Sequence, residues 1–131
     1  ADKKLQQEEY TIDKVSQEIT DPIRLKISFL SGYTTINKDP RFLYADADKL
    51  SFPLTLRKWQ SGDWFVPFGM RGRKKLSDFF TDRKFSLADK ENAWVLSSGE
   101  NIVWIVGERP DERFKVTEST ENVMVVEFIK N

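Results

Sequence analysis

The residues with the clearest chemical potential form one segment, residues 65–80, with the sequence Phe-Val-Pro-Phe-Gly-Met-Arg-Gly-Arg-Lys-Lys-Leu-Ser-Asp-Phe-Phe. Its glycines and proline favour a fixed loop, and four cations follow within five positions: Arg71, Arg73, Lys74 and Lys75. The loop leads into a predicted helix, whose free N–H groups and dipole also attract anions. We interpret the segment as a phosphate-binding loop; the alternative is a solvated loop whose cations have no ligand.

A second charged segment, residues 107–116, lies between two apolar stretches. Arg113 and Lys115 are candidates for further phosphate contacts. Asp111 and Glu112 are expected instead to pair with nearby arginines and to hold the loop in shape. Exposed ion pairs of this kind contribute only ~0–1 kcal/mol to stability, so they would position the loop more than stabilise the fold.

The cations are concentrated in one part of a chain whose net charge is zero. The 131 residues include 21 basic and 21 acidic side chains, yet residues 53–84 hold eight basic residues against three acidic ones. Arg57 and Lys58 open this basic part and join the candidate phosphate contacts. A local excess of positive charge attracts a polyanion such as a nucleic acid.

The residue types that are missing exclude several classes of site. The chain has no histidine and no cysteine, which removes the commonest general base, thiol nucleophiles, disulfides and the usual zinc sites. Asp46 and Asp48, two residues apart and therefore expected on the same face of a strand, are the remaining metal candidate, and a lone Asp-x-Asp is a weak signal. We expect no catalytic residue and no metal site. The absence of disulfides and of a long apolar run is compatible with a cytoplasmic protein that does not enter membranes.

Aromatic residues are interleaved with the cations of the basic part. The set is Trp59, Trp64, Phe65, Phe68, Phe79 and Phe80. Rings beside cations can stack on unpaired bases, but at strand and helix spacing they more often form core, which is the role we expect for most of them. Trp64, next to Asp63 in a turn, is expected to be the most exposed.

Hydrophobic periodicity predicts strands in both halves of the chain. Ile23, Leu25, Ile27 and Phe29 alternate with polar residues, as in a half-buried strand. The predicted strands cover residues 9–19, 23–30, 42–44, 54–59, 94–96, 102–106 and 123–129. The strands at 94–96 and 102–106 are nearly all apolar and flank Gly99, which predicts a hairpin deep in the core.

Two short helices are predicted between the strands. Leu76, Phe79 and Phe80 share one face of a helix over residues 74–82. Ser86 and Asp89 form a capping arrangement for a second helix that ends near residue 92. The fold class is therefore α+β, a strand-rich mixed sheet or sandwich-like core with a short helical hairpin inserted between strands.

Two blocks of the sequence resemble the C-terminal domain of tRNA(Ile)-lysidine synthetases. The first is Leu-Arg-Lys-Trp-Gln-Ser-Gly-Asp-Trp-Phe-Val-Pro-Phe-Gly-Met-Arg-Gly-Arg-Lys-Lys-Leu-Ser-Asp-Phe-Phe at residues 56–80. The second is Ile-Val-Trp-Ile-Val-Gly-Glu-Arg-Pro-Asp-Glu-Arg-Phe-Lys-Val-Thr at residues 102–117. The resemblance runs from about residue 42 to 128. It implies a C-terminal domain over residues 42–131, preceded by a strand-rich part of the same region over residues 1–41, together in one compact body.

The resemblance implies a module of an enzyme that ligates lysine, with ATP, to the wobble cytidine of an isoleucine tRNA. In that family the C-terminal region helps to hold the tRNA, including its acceptor arm. The implied partners are therefore tRNA and an N-terminal catalytic domain, which would use ATP and magnesium. The pyrophosphate loop of that domain, Ser-Gly-Gly-x-Asp-Ser, does not occur in this sequence, so the chain is expected to be inactive and without a cofactor of its own. A protein-interaction or dimerisation module is the alternative function.

Overall fold

Short antiparallel strands dominate the computed structural model, which describes residues 8–32 and 34–130. The strands are β1 (Glu9–Ile12), β2 (Gln17–Ile19), β3 (Leu25–Ser31), β4 (Phe42–Asp46), β5 (Leu54–Lys58), β6 (Trp64–Phe65), β7 (Lys74–Lys75), β8 (Trp94–Ser98), β9 (Asn101–Ile105), β10 (Arg109–Pro110) and β11 (Asn122–Phe128). The helices are α1 (Leu76–Asp82) and α2 (Leu87–Glu91), with 3₁₀ turns at Ala47–Lys49 and Glu112–Phe114. In the described ranges, no helix has the length and apolar character that crossing a bilayer requires.

Two sheets pack on a shared core. One sheet has the strand order β1-β5-β8-β9-β10, and the other has the order β2-β3-β11-β4. A single hydrophobic cluster receives Leu56 and Trp104 from the first sheet and Leu25 and Met124 from the second, all four completely buried. The arrangement confirms the predicted strand-rich α+β fold with a sandwich-like core.

The β8–β9 hairpin is buried on both of its faces. Leu96 and Trp104 are register partners that face the other sheet, whereas Val95 and Ile105 are partners that face the helices. Two buried faces explain why these strands are apolar at nearly every position. Gly99 adopts a φ of +58° in the connecting turn, as the predicted hairpin requires.

The helical hairpin covers the outer face of the first sheet. Leu76, Phe79 and Phe80 are buried there against Val95 and Ile105. α2 begins with the predicted capping box, in which Ser86 and Asp89 bond each other's backbone N–H groups.

Three local predictions differ from the structure. The helix expected from residue 74 starts at Leu76, because Lys74 and Lys75 form β7 and pair with β6. The extended segment expected over 9–19 is two strands separated by residues 13–16. Asp46 and Asp48 do not share a strand face, since Asp46 ends β4 and accepts a hydrogen bond from the Asp48 N–H at 3.1 Å to cap a 3₁₀ turn.

Candidate nucleic-acid interface

The cation-rich segment forms a small hairpin, residues 64–75, which we call the basic hairpin. Its strands are β6 and β7, with Trp64 opposite Lys75 and Phe65 opposite Lys74. Phe65 is completely buried and packs edge-on against Phe79, at 5.4 Å between ring centroids. The hairpin is therefore fixed to the core at its base, while its loop projects from the sheet.

The second charged segment holds the loop of the basic hairpin in place. The buried Asp111 carboxylate accepts the Val66 N–H at 2.8 Å, and the Glu112 carboxylate accepts the Gly69 N–H at 2.9 Å. The backbone adds a bond from the Phe68 N–H to the Pro110 carbonyl, at 3.0 Å. The structural role expected for Asp111 and Glu112 is thus observed, and their targets include backbone groups as well as cations.

Hydrogen bonds also lower the pKa of Glu112. Its carboxylate accepts a bond from the Lys115 ammonium and one from the Gly69 N–H. Both bonds favour the ionised form, Lys115 most strongly, so they lower the pKa of Glu112 below its ordinary value of 4.5.

Four of the eight predicted cations pair with carboxylates inside the fold. Arg57 and Asp63 form a bidentate pair at 3.0 and 3.1 Å, in which each side chain is only 14% exposed. The other pairs are Arg113 with Asp111 at 2.9 Å, Lys74 with Asp82, and Lys115 with Glu112. These carboxylates offset the charge of Arg57, Lys74, Arg113 and Lys115.

Three of the remaining cations are exposed on the basic hairpin. Arg71, Arg73 and Lys75 make no ion pair with any carboxylate in residues 8–32 or 34–130. The fourth, Lys58, donates to the Glu91 carbonyl and lies over the Trp94 ring at 5.2 Å. The uncompensated positive charge of the predicted set is therefore concentrated on the basic hairpin.

Trp64 organises two of the arginines. The Arg73 guanidinium lies 4.0 Å from the centroid of its ring, and the Arg113 guanidinium lies 4.8 Å from it. Since Arg113 is anchored to the buried Asp111, the ring is held from that side. Trp64 is accordingly half-buried, and the expectation that it is the most exposed aromatic is wrong. Phe68, which is 45% exposed to solvent, is the exposed member of the aromatic set.

A family model covers the part of the chain that forms this site. The family model described as the TilS substrate C-terminal domain matches residues 54–127, which include the basic hairpin and the segment that anchors it. The chain belongs to the TilS C-terminal domain family.

Full-length relatives of this TilS C-terminal domain are tRNA(Ile)-lysidine synthases. The enzyme of Parabacteroides distasonis is 61% identical over 94 residues, which are 72% of this chain and 22% of the relative. That of Caldanaerobacter subterraneus is 37% identical over 101 residues, 77% of this chain and 22% of the relative. The chain thus spans about a fifth of the length of the curated relatives it matches.

Two solved structures share the fold. A crystal structure of a TilS C-terminal domain aligns with a TM-score of 0.77 at 18% identity, and the match covers 95% of this chain and all of that one. An N-terminal fragment of the phenylalanyl-tRNA synthetase β-subunit from Pyrococcus horikoshii aligns with a TM-score of 0.62 at 17% identity, over 78% of this chain and 38% of that one.

Sequence reasoning missed one group of residues near the basic hairpin of this TilS C-terminal domain. Phe42 and Tyr44, together with Phe68 and Arg109, line a cleft beside the hairpin. The available signal was the alternation in β4, where Leu43 and Ala45 are buried, whereas Phe42 and Tyr44, which alternate with them, are only half-buried. Asp46 and Asp48 are engaged elsewhere, with Thr120 and Asn122 respectively.

Proposed function

We propose that this chain is the non-catalytic, tRNA-binding C-terminal module of a tRNA(Ile)-lysidine synthetase. The parent enzyme would ligate lysine to the wobble cytidine of isoleucine tRNA, with ATP and magnesium bound by a separate N-terminal catalytic domain in the cytoplasm. The module would bind the acceptor arm of the tRNA and would contribute no catalytic residue.

One observation carries this proposal: Arg71, Arg73 and Lys75 are exposed on a hairpin whose position is fixed and whose charge is not neutralised. A phosphate backbone is the ligand that such a strip favours, because each contact releases condensed counterions from the nucleic acid. The planar guanidinium groups of Arg71 and Arg73 can also donate two parallel hydrogen bonds to one phosphate.

The paired cations have a different part in the proposal. Arg57 and Arg113 hold Asp63 and Asp111 and so keep the basic hairpin in position, while Lys74 and Lys115 remain partly shielded by their carboxylates. We therefore expect Arg71, Arg73 and Lys75 to make the main phosphate contacts. Lys58 and the four paired cations would contribute less each.

Binding of isoleucine tRNA at several salt concentrations tests the assignment. The Arg71→Ala, Arg73→Ala, Lys75→Ala triple variant is expected to flatten the slope of log affinity against log salt by about 2–3, since each phosphate contact contributes ~0.7–0.9. A minihelix that contains only the acceptor arm should show the same change.

A matched control removes three exposed lysines from other surfaces: Lys14→Ala, Lys26→Ala and Lys49→Ala. It loses the same net charge, so any general effect of charge appears in both variants. Equal losses in the two triple variants would refute a localised tRNA interface on the basic hairpin.

The alternative function, a dimerisation module, predicts a different result. A salt-sensitive dimer without affinity for RNA would favour it. Sedimentation of the chain at low and high salt, with and without tRNA, distinguishes the two functions.

A further inference from the structure

A cleft of about 510 Å³ lies beside the basic hairpin, where the outer strands of the two sheets meet. β4 is the last strand of the second sheet and β10 is the last strand of the first, and residues of both line the cleft. Residues 36–40 and Phe68 form further parts of its walls. Its volume is within the ~300–1,000 Å³ of pockets that hold small ligands.

Aromatic rings form the walls of this cleft. On β4, Leu43 and Ala45 face the core, whereas Phe42 and Tyr44 are only half-buried and their rings stack at 6.4 Å with 27° between their planes. Phe68 lines the cleft from the basic hairpin. These three rings do not belong to the main hydrophobic core. They can therefore serve as a stacking surface for a ligand.

The position of Phe68 is fixed before any ligand arrives. Its N–H donates to the Pro110 carbonyl at 3.0 Å, and its own carbonyl accepts a hydrogen bond from the Arg109 guanidinium at 2.6 Å. Because the backbone of Phe68 is already fixed, less conformational entropy is lost on binding than for a residue of a mobile loop, which favours affinity.

The charges that line the cleft leave an excess of positive charge. Each lining acid is matched by a cation: Asp39 by Arg41 at 2.8 Å, Glu108 by Arg83 at 3.0 Å, and Asp111 by Arg113 at 2.9 Å. Among the lining cations, Lys115 is paired with Glu112. Lys38 and Arg109 have no carboxylate partner in the part of the chain that the structure describes.

We propose that this cleft binds an unpaired nucleotide at the single-stranded end of the RNA held by the basic hairpin. The inference rests on the proposed function and adds the part of the RNA that is recognised. The base stacks against Phe42, Tyr44 or Phe68, and its phosphate lies near Lys38 and Arg109. A base inside a helix is covered on both faces by its neighbours, so an unpaired base suits an aromatic cleft.

Three RNA minihelices test the proposal with the full chain. One has a blunt end, one carries an unpaired four-nucleotide 3′ extension, and one carries the same extension with abasic sugars. The abasic extension keeps the added phosphates and lacks the bases, so the affinity ratio between the last two isolates stacking. We expect the bases to raise affinity by roughly 5- to 150-fold, the range for base–aromatic stacking.

Variants of the cleft locate the effect. Phe68→Ala and Tyr44→Ala should both reduce the ratio toward one. Tyr44 lies on β4, outside the basic hairpin, so Tyr44→Ala should leave the affinity for the blunt minihelix unchanged. Leu87→Ala removes an equally apolar side chain that is 72% exposed on α2, and should change neither value. Lys38 lies in an exposed segment between β3 and β4. Lys38→Ala should flatten the slope of log affinity against log salt for both extended RNAs by ~0.7–0.9, the contribution of one phosphate contact.

The outcomes separate this inference from the proposed function. If the bases add no affinity, or if Tyr44→Ala weakens the binding of blunt and extended RNAs equally, the cleft proposal is overturned. In that case the Arg71→Ala, Arg73→Ala, Lys75→Ala triple variant would still bind all three RNAs more weakly than the parent chain, and the proposed function would stand. Absence of RNA binding by the full chain overturns both. Binding of an acidic aromatic peptide in the cleft, with no base effect, would assign it to a protein partner instead.

Discussion

Arg57 and Arg73 differ in what faces their guanidinium groups. Arg57 forms an ion pair with the Asp63 carboxylate, and both side chains are largely buried, so the charge of Arg57 is balanced within the fold. Arg73 meets the face of the Trp64 ring, which orients the guanidinium and leaves its charge uncompensated. One aromatic neighbour can therefore position a cation for a phosphate where a carboxylate would neutralise it.

Glu112 gives a residue-scale prediction that depends on pH. Because its pKa is lowered in the fold, ionised Glu112 stabilises the protein above the unfolded pKa of about 4.5, and this contribution is lost as pH falls through the folded pKa. Glu112→Gln should therefore lower the midpoint of denaturant unfolding near pH 7. The gap between the variant and the parent chain should close in acid.

The same measurement on Glu91→Gln is the control. Glu91 is exposed at the end of α2 and makes no ion pair with a described residue, so the midpoint of Glu91→Gln should stay close to that of the parent chain at each pH. If Glu112→Gln lowered the midpoint by the same amount in acid and at neutral pH, the stabilisation by the hydrogen bonds from Lys115 and Gly69 would not depend on the charge of Glu112.

At the scale of elements, the end of α1 shows how the helical hairpin turns. The Phe85 N–H bonds the Phe80 carbonyl and the Lys84 N–H bonds the Thr81 carbonyl, which is a Schellman motif. The Phe80 and Phe85 rings stack at 4.8 Å across the turn. Lys84 stands at the left-handed position of this motif, with a φ of +58°, where glycine is the usual residue.

Lys84→Gly is therefore expected to stabilise the protein. A left-handed conformation costs a residue with a Cβ roughly 1–2 kcal/mol, and part of the gain is lost because glycine has more freedom in the unfolded chain. The expected net gain is about 0.5–1 kcal/mol in the free energy of unfolding, which thermal denaturation measures. Ala88→Gly, inside α2, should instead destabilise by about 1 kcal/mol. A loss of stability in Lys84→Gly would show that the lysine side chain stabilises this turn.

These elements also show how far the sequence could predict the structure. The β8–β9 hairpin and the α2 cap were predictable because their signals are local: an apolar run around a glycine, and Ser86 three residues before Asp89. The start of α1 was not, since Lys75 pairs with Trp64 and Lys74 with Phe65, partners that are not sequence neighbours. Helix spacing alone carries no information about that pairing.

The candidate site divides in the same way. The sequence shows that Arg71, Arg73 and Lys75 are clustered. Which cations form ion pairs with carboxylates cannot be predicted from the sequence, because the pairing depends on where the side chains point in the folded protein. The cleft was missed because Phe42, Phe68 and Arg109 come together from three separate elements or loops. A single sequence gives no measure of such long-range proximity.

At the scale of the whole molecule, the N-terminal strands complete both sheets. β3 pairs with β11 along all seven residues of each strand, and β1 pairs with β5. The family match covers residues 54–127, so β5 and β11, which belong to the matched part, each have a pairing partner outside it. The predicted division at residue 41 therefore cuts through both sheets.

A shortened chain of residues 42–131 tests whether that division marks an independent unit. It would lose Ile12, Leu25 and Ile27, each at most 2% exposed in the shared core. Removing one such side chain typically costs ~2–5 kcal/mol, so the three together approach the ~5–15 kcal/mol that stabilises a whole domain. We expect the shortened chain to show no cooperative denaturant transition, whereas Ile27→Ala in the full chain should keep the transition and lower its midpoint. If residues 42–131 instead unfold cooperatively with a midpoint near that of the full chain, the shared core is dispensable and the first 41 residues form a separate addition to the domain.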